Sequence, residues 1–277
     1  MYAVVMSKTI LLVGCGKMGS AMLRGWQSAE GDFSIHVVDS NEEMRARAHA
    51  GGVPAYADIA ALDSNFSPDG IVLAVEPGAI TRVLGECLRW KDTDAAVISV
   101  AAGVRLEDMS AVLPSTSMSL IRVMPNIPAV IGEGMMVCCA SARASKTSRT
   151  LTTQLLEGIG TVAWIDDEGQ MDAVTAVSGC GPAYVFAFIE ALVRAGVAAG
   201  LSEDLSRRLA LATAAGSSRM ALESDETAEE LRRRVATPGG ATSAAMKVLL
   251  EGDRLDGLLH ESVEAAKKRS KELGKDS

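Results

Sequence analysis

The sequence predicts an α/β N-terminal domain with a mostly parallel sheet, spanning 1–167, followed by an all-α C-terminal domain, 168–277. Three observations carry this reading. Short, unbroken apolar runs alternate with helical patterns through the first part of the chain, which is how strands buried on both faces and joined by helical crossovers read. A glycine-rich turn stands between the first run and the first helix. Beyond Asp166-Asp167-Glu168-Gly169 no strand pattern recurs. A length of 277 residues suits two domains, and 48% hydrophobic residues are enough for a sizeable core.

The first run, Thr9-Ile10-Leu11-Leu12-Val13, ends at Gly14 and predicts a strand; Met18 to Ala29 follows as a helix. Ile35 to Val38 predicts a second strand ending at Asp39, and Glu42 to Ala50 is a polar helix closed by Gly51-Gly52. Ile71 to Val75 is a third buried run, Ala79 to Trp90 a helix, and Ala96 to Val100 another strand. Leu120 to Met124 precedes the Pro-bounded loop Pro125-Asn126-Ile127-Pro128. Met135 to Cys139, a helix over Lys146 to Glu157 and Thr161 to Ile165 complete this half. Downstream, Met171 to Ala199, Glu203 to Leu222, Ala228 to Arg234, Gly239 to Leu250 and Leu255 to Leu273 read as helices, with Ala195, Ala198 and Ala199 permitting close packing.

Composition excludes several classes. Lys and Arg number 27 against 35 Asp and Glu, a net charge of −8, so there is no basic excess to neutralise the phosphates of a nucleic acid. Aromatic residues at 4% argue against a base-stacking platform. The five cysteines, with Cys138 and Cys139 adjacent, read as reduced thiols and point to the cytoplasm rather than to a disulfide scaffold. No segment reads as the roughly 20 apolar residues of a membrane span. The N-terminal apolar stretch contains Ser7 and Lys8 and reads as a strand, with Met1 to Met6 as an extension before it. No His/Cys cluster has zinc spacing, so no metal is expected.

Gly14-Cys15-Gly16-Lys17-Met18-Gly19 is a G-x-G-x-x-G following a buried strand and opening a helix, the context in which that motif binds a dinucleotide. Gly14 permits the tight turn, Gly16 lets a pyrophosphate reach the backbone, and Gly19 lets helix and strand pack closely. The helix N-terminus then holds the anion. Asp39, about 20 residues after the last glycine, is placed for the ribose 2′-hydroxyl. Its carboxylate would repel a 2′-phosphate and so favours NADH, whereas Ser40, Asn41, Arg45 and Arg47 could still hold that phosphate; the cofactor is therefore written NAD(P)H.

A second glycine-proline cluster, Ser178-Gly179-Cys180-Gly181-Pro182, interrupts a long helical pattern and marks a break or a very close approach. Thr237-Pro238-Gly239-Gly240-Ala241-Thr242 opens another helix and offers backbone N–H groups with two hydroxyls, suited to a small carboxylate; read alone, it is an ordinary helix cap. Together with Ala74-Val75-Glu76-Pro77, Ser99 to Val104 and Arg122 to Pro128, these segments resemble pyrroline-5-carboxylate reductase over nearly the whole chain. The resemblance implies a Rossmann-like domain followed by a helical dimerisation and substrate domain. It also implies a homodimer whose substrate site is completed by the partner subunit, and sometimes a ring of dimers.

The implied reaction is hydride transfer from a nicotinamide to the C=N carbon of a cyclic imino acid. Such chemistry needs positioning and water exclusion more than acid–base groups. By resemblance, Thr242 Oγ would hydrogen-bond the ring nitrogen as the catalytic contact. Thr237 and the N–H groups of Gly240, Ala241 and Thr242 would hold the carboxylate, with Met124 and Asn126 walling the pocket. Cofactor contacts are expected at Gly14 to Gly19, Asp39, Ser40, Ala74, Val75, Glu76, Pro77, Val100, Ala101 and Ala102. The chain departs from the family pattern at Glu76 (usually Lys), Ile127 (usually Thr), Cys180 (usually Ser) and Arg234 (often Asn in animal relatives).

His36, His49 and His260 lie outside every motif, which disfavours a His-based alcohol dehydrogenase. A β-hydroxyacid dehydrogenase would need a helical Lys soon after Gly181-Pro182, where Ala183, Tyr184 and Val185 stand. A deazaflavin-dependent NADP reductase shares the first domain but leaves Thr237 to Thr242 without a role. A non-catalytic dinucleotide sensor would combine an intact turn with a blocked substrate pocket.

Overall fold

The computed structural model describes residues 7–28 and 33–274. The expected extension at Met1 to Met6 and the last residue of the first expected helix, Ala29, lie outside the described residues. The chain forms two compact units, Met1–Gly179 with Lys267–Ser277, and Cys180–Ala266.

In the first unit, β1 (Lys8–Val13) leads into α1 (Lys17–Ser28), β2 (Phe33–Val38) into α2 (Glu42–Ala50), and the two-residue β3 (Ala55–Tyr56) into β4 (Gly70–Leu73). Then follow α3 (Ile80–Cys87), β5 (Ala96–Ser99), α4 (Leu106–Val112), β6 (Ser119–Met124), β7 (Gly134–Ala140), α5 (Lys146–Glu157), β8 (Gly160–Ile165) and α6 (Met171–Val174). Among the described residues these strands make one eight-stranded sheet, order β3-β2-β1-β4-β5-β6-β7-β8. All pairs are parallel except β6–β7, where Arg122 faces Cys139 and Met124 faces Val137.

Alternation along the strands divides the core between the two sheet faces. Leu11, Val13, Ile71, Leu73 and Val97 pack with Val83, Leu84 and Met109 of α3 and α4. Ile10, Leu12, Val72 and Ile98 pack with Met22 and Trp26 of α1 and Leu151 and Leu155 of α5. Trp26 Nε1 donates to Leu155 O at 2.6 Å, tying the latter two helices together. The polar α2 starts at Asn41, whose side chain accepts the N–H groups of Glu43 and Met44.

Two expectations need refinement. The segment Ala79 to Trp90 is α-helical only over Ile80–Cys87 and is flanked by 3-10 turns at Pro77–Ala79 and Leu88–Trp90. Two elements were not foreseen: β3, too short to show alternation, and α4, whose start is held by Asp108 accepting the Arg105 N–H at 3.0 Å. The expected helix over Met171 to Ala199 is broken into α6, a π-helical turn at Thr175–Gly179 and α7 (Gly181–Ala198).

The second unit contains α7, α8 (Glu203–Glu223), α9 (Ala228–Val235), α10 (Ala241–Leu250) and most of α11 (Arg254–Leu273), with no strand among its described residues. Helices α7 and α8 meet where Gly196 lets Ser206 approach: a Cβ at Gly196 would lie 2.8 Å from Ser206 Oγ. Ser206 and Ala210 are the fully buried residues here, while Phe186, Phe188, Leu211 and Leu222 stay at least half exposed. The expectation that no segment has the length and apolarity of a membrane span is corrected. The helical run Glu168–Ala198 meets both criteria, an 18-residue stretch within it reaching a mean hydropathy of 1.6, because its alanines and valines raise the mean. It also carries a Glu190–Arg194 pair at 3.6 Å.

Candidate active site

The glycine turn has the build the motif requires. Gly14 adopts φ +92°, and a Cβ there would lie 2.6 Å from the Ala74 carbonyl oxygen. A Cβ at Gly19 would lie 2.1 Å from Gly14 O, so only glycine lets α1 start this close to β1. Gly16 faces open space, with nothing within 4 Å of the Cβ position. The turn is thus locked at its two ends and open in the middle, with Lys17 beginning the helix and Met18 packed against the core. These features fit a pyrophosphate on backbone N–H groups.

Asp39, expected at the ribose, also braces the turn. Its Oδ2 accepts the Cys15 N–H at 2.6 Å and its Oδ1 accepts the Asn41 N–H at 2.8 Å, bracing the turn against the end of β2. Arg45 donates to the carbonyls of Asp39 and Ser40 at 2.9 and 2.8 Å, beside the same strand end. The Cys15 thiol is held above its ordinary pKa chiefly by burial, so it is not an activated nucleophile. A cleft of about 730 Å³ opens beside the turn, lined by Cys15, Gly16 and Lys17 together with Arg24, Arg47 and Ile127.

The neighbouring strand ends follow the same plan. The Ala74 N–H donates to Val13 O at 2.8 Å and the Val100 N–H to Leu73 O at 3.1 Å, extending the ladders past β1, β4 and β5. Glu76 is extended and exposed, Pro77 opens a 3-10 turn, and the Ala101 N–H donates to Ser99 Oγ at 3.3 Å before Ala102. Met124 ends β6, and its Cε lies 2.6 Å from where a Cβ on Gly179 would sit. Asn126 Nδ2 donates to Ser178 O and Oγ at 3.3 and 3.4 Å, and its Oδ1 accepts the Met135 N–H at 2.8 Å.

The sequence reading did not anticipate an ion pair between buried Arg122 and Glu168 at 2.9 Å; the same carboxylate oxygen accepts the Leu106 N–H. Nor did it anticipate Ser270 donating to Asp172 at 2.7 Å. Both lie in a cavity of about 400 Å³ that Lys271 also lines, with Arg105 paired to Glu107 and Arg122 to Glu168.

In the second unit, Gly239 turns the chain at φ +75° and Gly240 is the N-cap of α10. A Cβ on Gly240 would lie 2.9 Å from Thr237 Oγ1, so the absent side chain brings that hydroxyl up to the helix start. Thr242 is half-buried in the first turn, and Gly240 has no side chain to cap the leading N–H groups there. Arg234 is committed to an ion pair with Glu226. His36 is packed against Tyr56 and Phe66, and burial lowers its pKa, in keeping with a structural role.

Residues 168–273 match the family model described as pyrroline-5-carboxylate reductase dimerisation, and residues 9–103 match the model described as NADP oxidoreductase coenzyme F420-dependent. A pyrroline-5-carboxylate reductase of Pseudomonas aeruginosa is 35% identical over 268 residues, covering 95% of this chain and 96% of the relative. The chain belongs to the pyrroline-5-carboxylate reductase family. A structure of a pyrroline-5-carboxylate reductase from Coxiella burnetii superposes with a TM-score of 0.91 at 31% identity, covering 96% of this chain and 98% of that one. The Plasmodium falciparum pyrroline carboxylate reductase, solved with NADP bound, gives 0.79 at 29% identity over 96% and 98%. The family's dimerisation segment begins at Glu168, the residue paired with Arg122, whereas the compact units divide after Gly179. The apolar run Glu168–Ala198 falls within that segment.

Proposed function

We propose that the protein reduces 1-pyrroline-5-carboxylate to L-proline with NAD(P)H, the last step of proline biosynthesis. The observation that carries this is the presence, in one chain of this family, of a locked glycine turn with an open centre and a Thr-Pro-Gly-Gly helix start whose leading N–H groups, from Ala241 on, no side chain caps. A bound nicotinamide would supply the hydride to the C=N carbon. The chain's part is to orient and desolvate. The backbone from Gly14 to Gly19 would hold the pyrophosphate, with Asp39 and Ser40 at the ribose. Ala74 to Pro77 and Val100 to Ala102 would flank the nicotinamide half. Thr242 Oγ would bond the ring nitrogen; Thr237 and the N–H groups of Ala241 and Thr242 would hold the carboxylate, the Gly240 N–H expected there being donated instead to Thr237 O at 3.0 Å, with Met124 and Asn126 at the pocket wall.

NADH is slightly favoured over NADPH in this reading, because an Asp39 carboxylate at the ribose would add like charge to a 2′-phosphate. Asp39→Ser should move the kcat/KM ratio toward NADPH, and an unchanged ratio would remove Asp39 from the discrimination. The exposed apolar helix faces of the second unit support a homodimer, which larger rings could repeat, and five free thiols suit the cytoplasm. The deciding assay mixes purified protein, pyrroline-5-carboxylate and either cofactor, and follows the loss of absorbance. No oxidation with NADH or with NADPH would reject the enzyme reading.

A further inference from the structure

We propose that Asn126 is a positioning residue for imine reduction, acting by holding the π-helical turn at Thr175–Gly179 rather than by touching substrate. The inference rests on the reductase reading above and refines one of its pocket residues.

Asn126 stands at the N-cap of the 3-10 segment Ile127–Ile131, where an asparagine ordinarily turns its side chain onto that segment's own N–H groups. Here it makes no such bond. Its amide is spent in two other directions: Oδ1 accepts from Met135 N on β7, and Nδ2 is shared between Ser178 O and Oγ. One side chain thus joins the end of β6, the start of β7 and the π-turn, all within the first compact unit.

The turn it holds is uncommon. A π-helical turn carries one residue more than the α-helical ladder accommodates, and such turns concentrate at functional sites. Its last residue, Gly179, lies against Met124, so the strand end and the turn meet by side-chain contact as well as by hydrogen bond. A further tether, Arg122 to Glu168, fixes the start of the same helical lead to the same strand. Residues 122 and 124 share a strand face by the period of two, and Asn126 continues the series beyond the strand. If the amide lets go, the extra residue can be absorbed into an ordinary helical register, which would turn Gly179 away from Met124. A displacement of about 1 Å near reacting atoms lowers turnover by about a hundredfold.

Asn126→Asp tests this, because it keeps an acceptor for Met135 N–H and removes the donor to Ser178. Two readouts are taken. In cofactor-free protein, amide hydrogen exchange over residues 175–183 should quicken by about tenfold. In the reductase assay kcat should fall by about 10- to 100-fold, with KM for the imine and Kd for the cofactor within about twofold of the parent. Unchanged exchange overturns the proposal whatever the activity. Faster exchange with parental kcat, or a kcat loss matched by weaker cofactor binding, also overturns it. A raised KM at parental kcat overturns it in favour of direct substrate contact. Should Asn126→Asp not fold, Ser178→Ala, which removes one of the two acceptors, must shift exchange and kcat in the same directions by a smaller factor. An inactive parent protein would sink the reductase reading and this role with it, while the exchange measurement would still report whether Asn126 holds the turn.

Discussion

The glycine turn allows two substitutions of one methyl group to be set against each other. At Gly19 the added carbon would lie 2.1 Å from Gly14 O, a backbone atom that cannot rotate away. Overpacking of that kind costs about 1–3 kcal/mol. For a domain of this size it corresponds to a melting temperature lower by about 2–12 °C. At Gly16 the added carbon meets nothing within 4 Å, and the stability cost should be close to zero. The open space, however, is where a pyrophosphate would reach the N–H groups. Losing one charge-assisted hydrogen bond there costs about 1.5–3 kcal/mol, or about 10- to 150-fold in Kd. Thermal unfolding and a titration of NADH fluorescence separate the two effects. Gly16→Ala should melt with the parent yet bind NADH poorly; Gly19→Ala should melt early and bind poorly. Parental affinity in Gly16→Ala would refute the assignment of the turn as the phosphate cradle, and parental melting in Gly19→Ala would refute the steric account of the motif.

Other outcomes can be measured alongside. Thr242→Ala should lower kcat by about 10- to 150-fold with cofactor Kd unchanged, read by steady-state kinetics and fluorescence titration. Arg122→Ala leaves Glu168 without its partner and should cost about 3 kcal/mol in urea unfolding, whereas Arg122→Met combined with Glu168→Gln should recover most of it. Burial pushes the Cys87 and Cys138 thiols up to about 12, so both should resist alkylation at pH 8 in the native state while partly exposed Cys180 reacts; denaturant should release all five. Those two raised thiols also set a sign. Their contribution to stability is complete below the unfolded thiol pKa of about 8.5 and is lost as pH climbs toward 12, by about 1.4 kcal/mol per pH unit for each, readable as a falling melting temperature.

The strands and long helices were legible because each is buried on a definite face, and burial writes its period into the chain. Leu11 and Leu12 belong to opposite core clusters, and so do Ile71 and Val72. The glycine turn was legible because steric necessity admits one residue type at Gly14 and Gly19. What stayed hidden depends on partners far apart in the chain. Arg122 and Glu168 are separated by 46 positions, and Ser270 and Asp172 by 98, so no local pattern announces either pair. Asn126 was expected, by resemblance, at the pocket wall, and only the structure shows its amide joining β7 to the π-helical turn. The break at Ser178 to Pro182 was visible as a run of helix-averse residues, but its π-helical form was not, since that depends on what the turn packs against.

The bond between Ser270 and Asp172 has an architectural meaning. The chain leaves the sheet-bearing unit at Gly179 and rejoins it at Lys267, and this hydroxyl–carboxylate link fastens the outgoing and returning threads together. The sheet-bearing unit therefore takes in the end of α11 as well as the chain up to Gly179. A fragment cut at residue 167 would lose the glutamate that satisfies Arg122 and the serine–aspartate fastening as well, so a nucleotide module that keeps both links must keep Glu168, Asp172 and the last helical turns.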